Sequence, residues 1–422
     1  MSGLASFMLS LGKKVGGCDI VSNEYVEKLR CDGAIIEDGN AATTVGNYEL
    51  VVYTDAIRGD DRVLQEADAL NKKILSRGQF LYEVSRGFKK VIAVSGCHGK
   101  TTVTAMLAHA FSFVGLPFTV HVGGRDKDFG NFHTQGLDYF ITEACEYKKN
   151  FLLLKPDIAV VLNSDPDHLE CYGSAENLLA AYRRFVGLAE ISVTPYNDEV
   201  AGDITFGYDK RAHFSAEGII CKKGFYSFTV CEGGKPLGKI RLNVYGKHNV
   251  LNALAVVAVA RAEGAPFEKI AAGIENFRGV ERRFEKLGRV NGALCIADYA
   301  HHPDEIKATL AAVRKITEKR LFVVFQPHTY SRTKNLFKSF VKVLSPLKNL
   351  LIYRTFAARE YFDDEGSALT LSQSVKRSVY GDDPADLIDF ISRAGAGDSV
   401  IFLGAGDIYG LAKDVVNSMN NY

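Results

Sequence analysis

A chain of 422 residues carries more apolar side chains than one ordinary core can pack, so two or three domains are expected. Its 47% apolar and 24% charged residues exclude an intrinsically disordered chain. A formal net charge of +1 excludes a global field that would gather nucleic acid or an anionic membrane, so any phosphate must be held by a local site.

Near the N-terminus, Leu4, Met8 and Leu11 form a helical stripe that Gly12 closes, and Val15–Asp19 follows as a strand. A helix leading into a strand that ends in Asp matches the second half of a Rossmann-like β-α-β unit. The strand and glycine-rich loop that begin such a unit are not in this sequence, so a late start and an incomplete N-terminal domain over residues 1–87 are expected. Glu49–Tyr53 is its next strand. From about Phe88 a second unit runs through strands at Val91–Ser95, Tyr139–Ala144 and Asp157–Asn163. The Gly-, Phe- and Lys-rich segment Gly202–Gly238 has short β-like alternation and reads as a peripheral excursion. A third unit opens near Gly279, with strands at Leu294–Asp298, Leu321–Gln326, Leu350–Tyr353 and Ser399–Leu403. This alternation predicts an α/β protein with mainly parallel sheets and domains at 1–87, 88–279 and 280–422. Active sites of open α/β sheets lie at the carboxyl edges of the strands, where the unusual residues of this chain fall.

The eight cysteines (18, 31, 97, 145, 171, 221, 231 and 295) include no CxxC pair, which favours reduced thiols over a disulfide framework or a zinc site. The longest apolar run, Ala253 to Ala260, is far short of the roughly 18–20 residues that span a bilayer. No basic segment feeds an apolar one at the N-terminus. A cytoplasmic protein without membrane or nucleic-acid partners is expected.

Residues Val91–Thr102 read VIAVSGCHGKTT: a buried strand, a turn with Gly96 and Gly99, and Lys100-Thr101-Thr102 opening a helix. Val103, Met106, Leu107, Ala110, Phe111 and Val114 give that helix one continuous apolar face. Glycines let backbone N–H groups turn toward a phosphate and the helix N-terminus adds partial positive charge. Lys100 neutralises phosphate oxygens and Thr101 can reach Mg²⁺. The full GxxxxGK[ST] pattern needs glycine at the position of Val94, so this is a shortened variant. The second unit is therefore expected to bind phosphate through this P-loop. Glu143 and Glu146 after one strand, and Asp165, Asp167 and His168 after the next, are candidate Mg²⁺ ligands beside the loop. Asp298, Tyr299, His301 and His302 stand where a strand meets a helix, with Pro303 at its first position and Asp304 and Glu305 in its first turn.

SGCHGKTT (Ser95–Thr102), NSDPDHLECYG (Asn163–Gly173) and YGKHNVLNALAVVAVA (Tyr245–Ala260) resemble the central ATPase motifs of Mur ligases. GVERRFE (Gly279–Glu285), DYAHHPDEIKATL (Asp298–Leu310), FQPHTYSRT (Phe325–Thr333) and GAGDIYGLA (Gly404–Ala412) resemble their C-terminal domain, and DYxHHPxE with FQPHxxxRT points to the muramate–alanine branch. The resemblance covers essentially the whole chain. It implies a UDP-sugar-binding Rossmann-like N-terminal domain, a central ATPase domain and a C-terminal Rossmann-like α/β domain that binds the amino substrate. It further implies that ATP phosphorylates the lactyl carboxylate of UDP-N-acetylmuramate and that L-alanine attacks the acyl phosphate. Mg²⁺ would be the cofactor and a monomer or homodimer the working form.

Carried residue by residue, the resemblance puts ATP on Gly96, Cys97, His98, Gly99, Lys100, Thr101, Thr102, His248, Asn249, Asn252, Arg283, Asp298 and Tyr299. It puts Mg²⁺ on Thr101, Glu143 and His168, and makes Lys100, Glu143, His168 and His301 catalytic. Substrate would meet Asp19, His98, His301, His328 and Arg332. The chain departs from the branch at EACEYKKNF, where EADESD is common, and has Arg183 and Arg184 where several family members place a carbamylated lysine, so no carbamate is expected. Cys97, close to Lys100 in the loop, is expected to have an activated thiol whose labelling blocks ATP. A ligase for a murein peptide, or a nucleotide-binding protein without ligase activity, are the alternatives.

Overall fold

The computed structural model describes residues 1–20, 22–39, 43–55, 57, 60–165 and 169–420. The chain divides into two compact units. One comprises Met1–Gly218, Thr229–Ile240 and Leu251–Arg278; the other comprises Ile219–Phe228, Arg241–Val250 and Gly279–Tyr422.

The N-terminal residues form the expected alternation. Helix Ser2–Ser10 buries Leu4 and Phe7 and ends just before Gly12, which adopts the left-handed backbone with φ +70°. Strand Gly16–Asp19 pairs in parallel with Ile35–Asp38, and Leu50–Tyr53 pairs in parallel with Lys73–Ser76; each pair is a separate sheet among the described residues. Asn23, Asp61 and Ser76 cap the intervening helices by accepting backbone N–H groups of the first turn.

A ten-stranded sheet dominates the first unit. Lys90–Ser95 lies between Tyr139–Glu143 and Ile158–Val161, parallel to both. Its apolar residues alternate with the pleat. Val91 and Ala93 join Phe140, Ala159 and Val161 in a core with Phe7, Phe80, Phe151, Tyr182 and Phe185. Helix Lys100–Val114 is more enclosed than one apolar face predicts, since every residue from Val103 to Phe111 is buried. The β-like alternation read in Gly202–Gly238 is borne out, and the segment is not a separate excursion but the edge of the same sheet. Ile204–Gly207, Phe214–Lys222, Phe225–Glu232 and Lys235–Tyr245 are consecutive strands that extend the same sheet from Ile191–Pro195. Exposed residues alternate with buried ones in parts of these strands, which is why the segment looks surface-like in sequence.

In the second unit a six-stranded sheet is parallel except for Glu285–Val290, antiparallel on Ala293–Asp298. Period-2 alternation supplies two cores. Val324, Leu351 and Phe402 face one, packed by Leu387, Phe390, Ile408 and Val416. Val323, Phe325, Ile352 and Ile401 face the other, packed by Ile306, Leu310, Phe340 and Leu371. A sheet apolar on both faces leaves only its strand ends to carry polar groups.

Candidate active site

The phosphate loop is built as its glycines require. Gly96 has φ +126° and Gly99 has φ +89°, a backbone region closed to most side chains. Lys100 Nζ donates to the Gly96 carbonyl at 2.6 Å and to both oxygens of Glu146 at 2.8 and 3.0 Å. Burial opposes the ammonium, but the Glu146 carboxylate overrides it and holds the lysine pKa above its ordinary value. Glu146, a candidate metal ligand in the sequence, is the partner of Lys100 in the structure. Asn163 clasps the loop, its Oδ1 accepting the His98 N–H and its Nδ2 donating to the His98 carbonyl, both at 3.0 Å. Sequence reasoning missed this role, although Asn163 lies at the end of the strand next to the loop. Cys97 is buried, with Sγ 3.2 Å from His98 Nε2, which limits the labelling expected of it.

Glu143 ends the strand beside the loop, in register with Val94. Its Oε1 accepts the Gly123 N–H at 2.6 Å. Thr101 follows Lys100 at the start of the helix, and Thr102 follows in the same turn. His168 and Asp167 lie outside the described residues. Thr101, in the first turn of the helix after the loop, and Glu143, at the end of the strand beside the loop strand, are hard oxygen donors of the type Mg²⁺ prefers, so the residues present fit that ion. Asn252 is buried and faces the loop closely: a Cβ on Gly99 would meet its Oδ1 at 2.9 Å. Asp19 is exposed at the end of its strand, and its carbonyl accepts the Gly39 N–H at 2.8 Å.

In the second unit, His248 is exposed at the start of helix His248–Ala262, and the side chain of buried Asn249 donates to the Tyr245 carbonyl at 2.7 Å. Asp298 is a three-way acceptor, taking the N–H groups of Phe284 at 2.8 Å and Ala300 at 2.9 Å and the Thr309 hydroxyl at 3.1 Å. Burial pushes its carboxyl above the usual range, against the pull of Arg283 and those amides. Asp298 thereby ties the Arg282–Glu285 turn to the strand end. Arg282 and Arg283 lie over the Tyr299 ring, 4.8 and 4.9 Å from its centroid. His302 and Glu305 form a capping box on the following helix. His302 is structural, whereas His301 points its Nδ1 at the Tyr299 carbonyl, 3.0 Å away.

His301 and His328 meet edge to face with centroids 5.8 Å apart. His328 also stacks on Phe356 and lies 3.2 Å from Arg332, so the structure brings His301, His328 and Arg332 together as expected. Phe356 leads to a cavity of about 570 Å³ lined by Tyr330, Arg354, Tyr380, Asp382 and Asp407 among others. Asp407 holds Arg354 at 2.8 Å and buried Gln326 at 2.6 Å. Sequence reasoning missed Arg354 and Asp407, which come together only through parallel strand pairing.

Burial, opposed by Glu305 and aided by Arg332, lowers His301 from 6.5 to about 4; burial, His301 and Arg332 lower His328 from 6.5 to about 3. Both are neutral at neutral pH and suited to hydrogen bonding more than to proton abstraction. In the unfolded chain each titrates near ~6.5, so the unfolded state takes up protons first. Stability is therefore fully present above about pH 6.5 and is lost as pH falls toward the folded values. Urea unfolding of His328→Asn should show a smaller stability loss between neutral and mildly acidic pH than the parent. Identical losses in both proteins would refute this account.

Family models match along the chain: "Mur ligase family, catalytic domain" over residues 1–89, "Mur ligase middle domain" over 94–260 and "Mur ligase, glutamate ligase domain" over 282–406. The UDP-N-acetylmuramate–L-alanine ligase of Clostridium beijerinckii is 37% identical, covering 97% of this chain and 93% of the relative. The ligase of the same name from Alkaliphilus metalliredigens is also 37% identical, covering 98% and 94%. Among solved structures, the UDP-N-acetylmuramate-alanine ligase of Thermotoga maritima matches with a TM-score of 0.86 at 29% identity, covering 100% of this chain and 96% of that one. A murein peptide ligase from Psychrobacter arcticus shares the fold at 24% identity, with a TM-score of 0.76 and coverage of 100% and 97%. With three family models in sequence and relatives matched over nearly their full length, this chain belongs to the Mur ligase family.

Proposed function

We propose that this enzyme joins L-alanine to the lactyl carboxylate of UDP-N-acetylmuramic acid with hydrolysis of ATP, a step in building peptidoglycan precursors. The observation that carries the proposal is the phosphate loop, whose ammonium is fixed at the carboxyl edge of the sheet beside Glu143. Support for the substrates comes from relatives named for this reaction at 37% identity.

Lys100 and the loop N–H groups hold the triphosphate, and Asn163 keeps the loop in shape. Mg²⁺, held by Thr101, Glu143 and His168, would offset phosphoryl charge when bound. The lactyl carboxylate takes the phosphoryl group, the amine attacks the resulting acyl phosphate, and collapse of the tetrahedral adduct releases phosphate. Positioning supplies most of the acceleration in such a sequence. His98 and Asp19 face the muramyl nucleotide; His301, His328 and Arg332 orient the acyl and amino partners through neutral imidazoles and a fixed cation. Gly96, Cys97, Gly99, Thr102, His248, Asn249, Asn252, Arg283, Asp298 and Tyr299 complete the nucleotide contacts. We place the amine in the cavity at Arg354, Asp382 and Asp407, whose charges of both signs suit a zwitterion. Domain boundaries near residues 87 and 279 and a cytoplasmic location accompany this reading; no helix among the described residues is long and apolar enough to cross a membrane.

Phosphate release from ATP, measured with UDP-N-acetylmuramate and either L-alanine or L-Ala-γ-D-Glu-diaminopimelate, tests the proposal. Release should depend on the muramyl nucleotide and favour L-alanine. Preference for the tripeptide would reassign the amine, and ATP binding without release under any pairing would overturn the ligase function.

A further inference from the structure

We propose that Glu146 is the positioning residue of the phosphate-loop lysine, and that Tyr172 fixes Glu146 in turn. This rests on the assignment of Lys100 to the triphosphate and adds the device that aims it.

An ammonium has three N–H donors. At Lys100 one is committed to the Gly96 carbonyl at 2.6 Å and one to the Glu146 carboxylate, whose two oxygens lie at 2.8 and 3.0 Å. Among the described residues the third makes a long contact, 3.4 Å, with the Cys97 carbonyl. Two strong anchors on different elements fix where the remaining N–H is directed, and the best use of that donor is a phosphate oxygen. The Glu146 side chain is 1% exposed and that of Lys100 16% exposed. Each charge thus depends on the other, because a buried ion without its partner is costly.

The backbone around Glu146 is held as firmly as its side chain. Its carbonyl accepts the Tyr172 hydroxyl at 2.5 Å and the Lys149 N–H at 2.9 Å. Lys148 and Lys149 both adopt left-handed backbone, φ +51° and +60°, a conformation that side-chain-bearing residues keep only when their surroundings enforce it. Tyr172 is itself buried. The segment after the Glu143 strand is thereby bent so that Glu143 and Glu146 serve different neighbours, Gly123 and Lys100.

The test is steady-state kinetics of the full-length enzyme with ATP varied at saturating acid and amine. Glu146→Gln keeps the shape and removes the charge, and should raise KM for ATP on the order of tenfold, with a smaller fall in kcat. Glu146→Asp, which restores the charge on a shorter stem, should recover part of that loss. Tyr172→Phe should raise KM for ATP about two- to fivefold and leave kcat near the parent value. In a Lys100→Ala background, Glu146→Gln should cause little further loss of activity, since Glu146 acts through the missing lysine. The Mg²⁺ concentration needed for half-maximal rate should be unchanged by Glu146→Gln. Unchanged or tighter ATP use in Glu146→Gln, full additivity with Lys100→Ala, or a raised Mg²⁺ requirement would each overturn the proposal. If Glu146→Gln does not fold, the aspartate and Tyr172 variants decide: parental KM values in both reject it. A Lys100→Ala enzyme with parental activity would defeat the underlying ligase assignment, whereas a dead Lys100→Ala beside an ATP-indifferent Glu146→Gln would defeat only this inference.

Discussion

Replacing Lys100 with alanine is expected to lower kcat/KM for ATP-dependent ligation by at least about 10³-fold, the range seen when a preorganised cation facing a transferring phosphoryl group is removed. The structure adds a second expectation. Lys100 is the charge partner of buried Glu146, so its removal takes that cation from the head of a carboxylate whose backbone Tyr172 and Lys149 hold. The single variant should lose stability, by roughly 3–5 kcal/mol. The double variant Lys100→Ala/Glu146→Gln should regain most of that stability while remaining inactive. Phosphate-release assays and urea unfolding of the three proteins separate the two effects. A Lys100→Ala enzyme that still joins alanine to the muramyl nucleotide at the parental rate would remove the basis for the assignment.

Gly96→Ala is the second large effect, and it acts through geometry. At φ +126° an L side chain is strained by roughly 1–3 kcal/mol. The added Cβ would also lie 3.0 Å from Leu162 N, 3.1 Å from Asn163 N and 3.2 Å from Asn163 O. All three are backbone atoms of the adjoining strand end, so no side chain can swing aside. The loop must move, taking with it the carbonyl that anchors Lys100 and the His98 amide that Asn163 holds. A loss of about 10²-fold in kcat/KM for ATP is expected, since small misplacements of positioning groups have effects of that size. Gly115→Ala provides the comparison, because Gly115 has φ +88° and a Cβ added there would meet no atom within 4 Å. It should lower stability modestly and leave ATP use alone. Equal ATP kinetics in the two variants would show that strain, not the strand contact, governs the loop.

How much of this was legible in the sequence follows from the range of the interactions. The loop and its helix were, because glycine, lysine and a 3.6-residue apolar repeat are local signals. Strand Ser399–Leu403 lies where its apolar run placed it, and the neighbours of the loop strand follow from parallel pairing. Strands such as Phe118–Asp126 and Ile191–Pro195 were missed because polar residues such as Thr119, His121 and Thr194 break their apolar runs. His121 and Thr142 touch across a strand pair, a contact that no periodicity within either strand reveals. The partnership of Lys100 with Glu146 spans 46 residues, and that of Arg354 with Asp407 spans 53. Pairs so distant in sequence are set by strand order. For the same reason the pairing of Glu146, three residues beyond Glu143, with the lysine could not be read from the sequence.

The two-faced sheet of the second unit also bears on how such an enzyme diversifies. Asp298, Gln326, Arg354 and Asp382 lie at or one residue past the ends of their strands, and Asp407 four residues past the end of its own. Beneath them Val323, Val324, Leu351 and Ile401 do nothing but pack. Chemistry and cohesion are thus encoded by different residues. Rim segments can be exchanged to admit a bulkier amine while the interior goes on offsetting the entropic cost of folding unchanged, so selectivity and stability can evolve as independent traits.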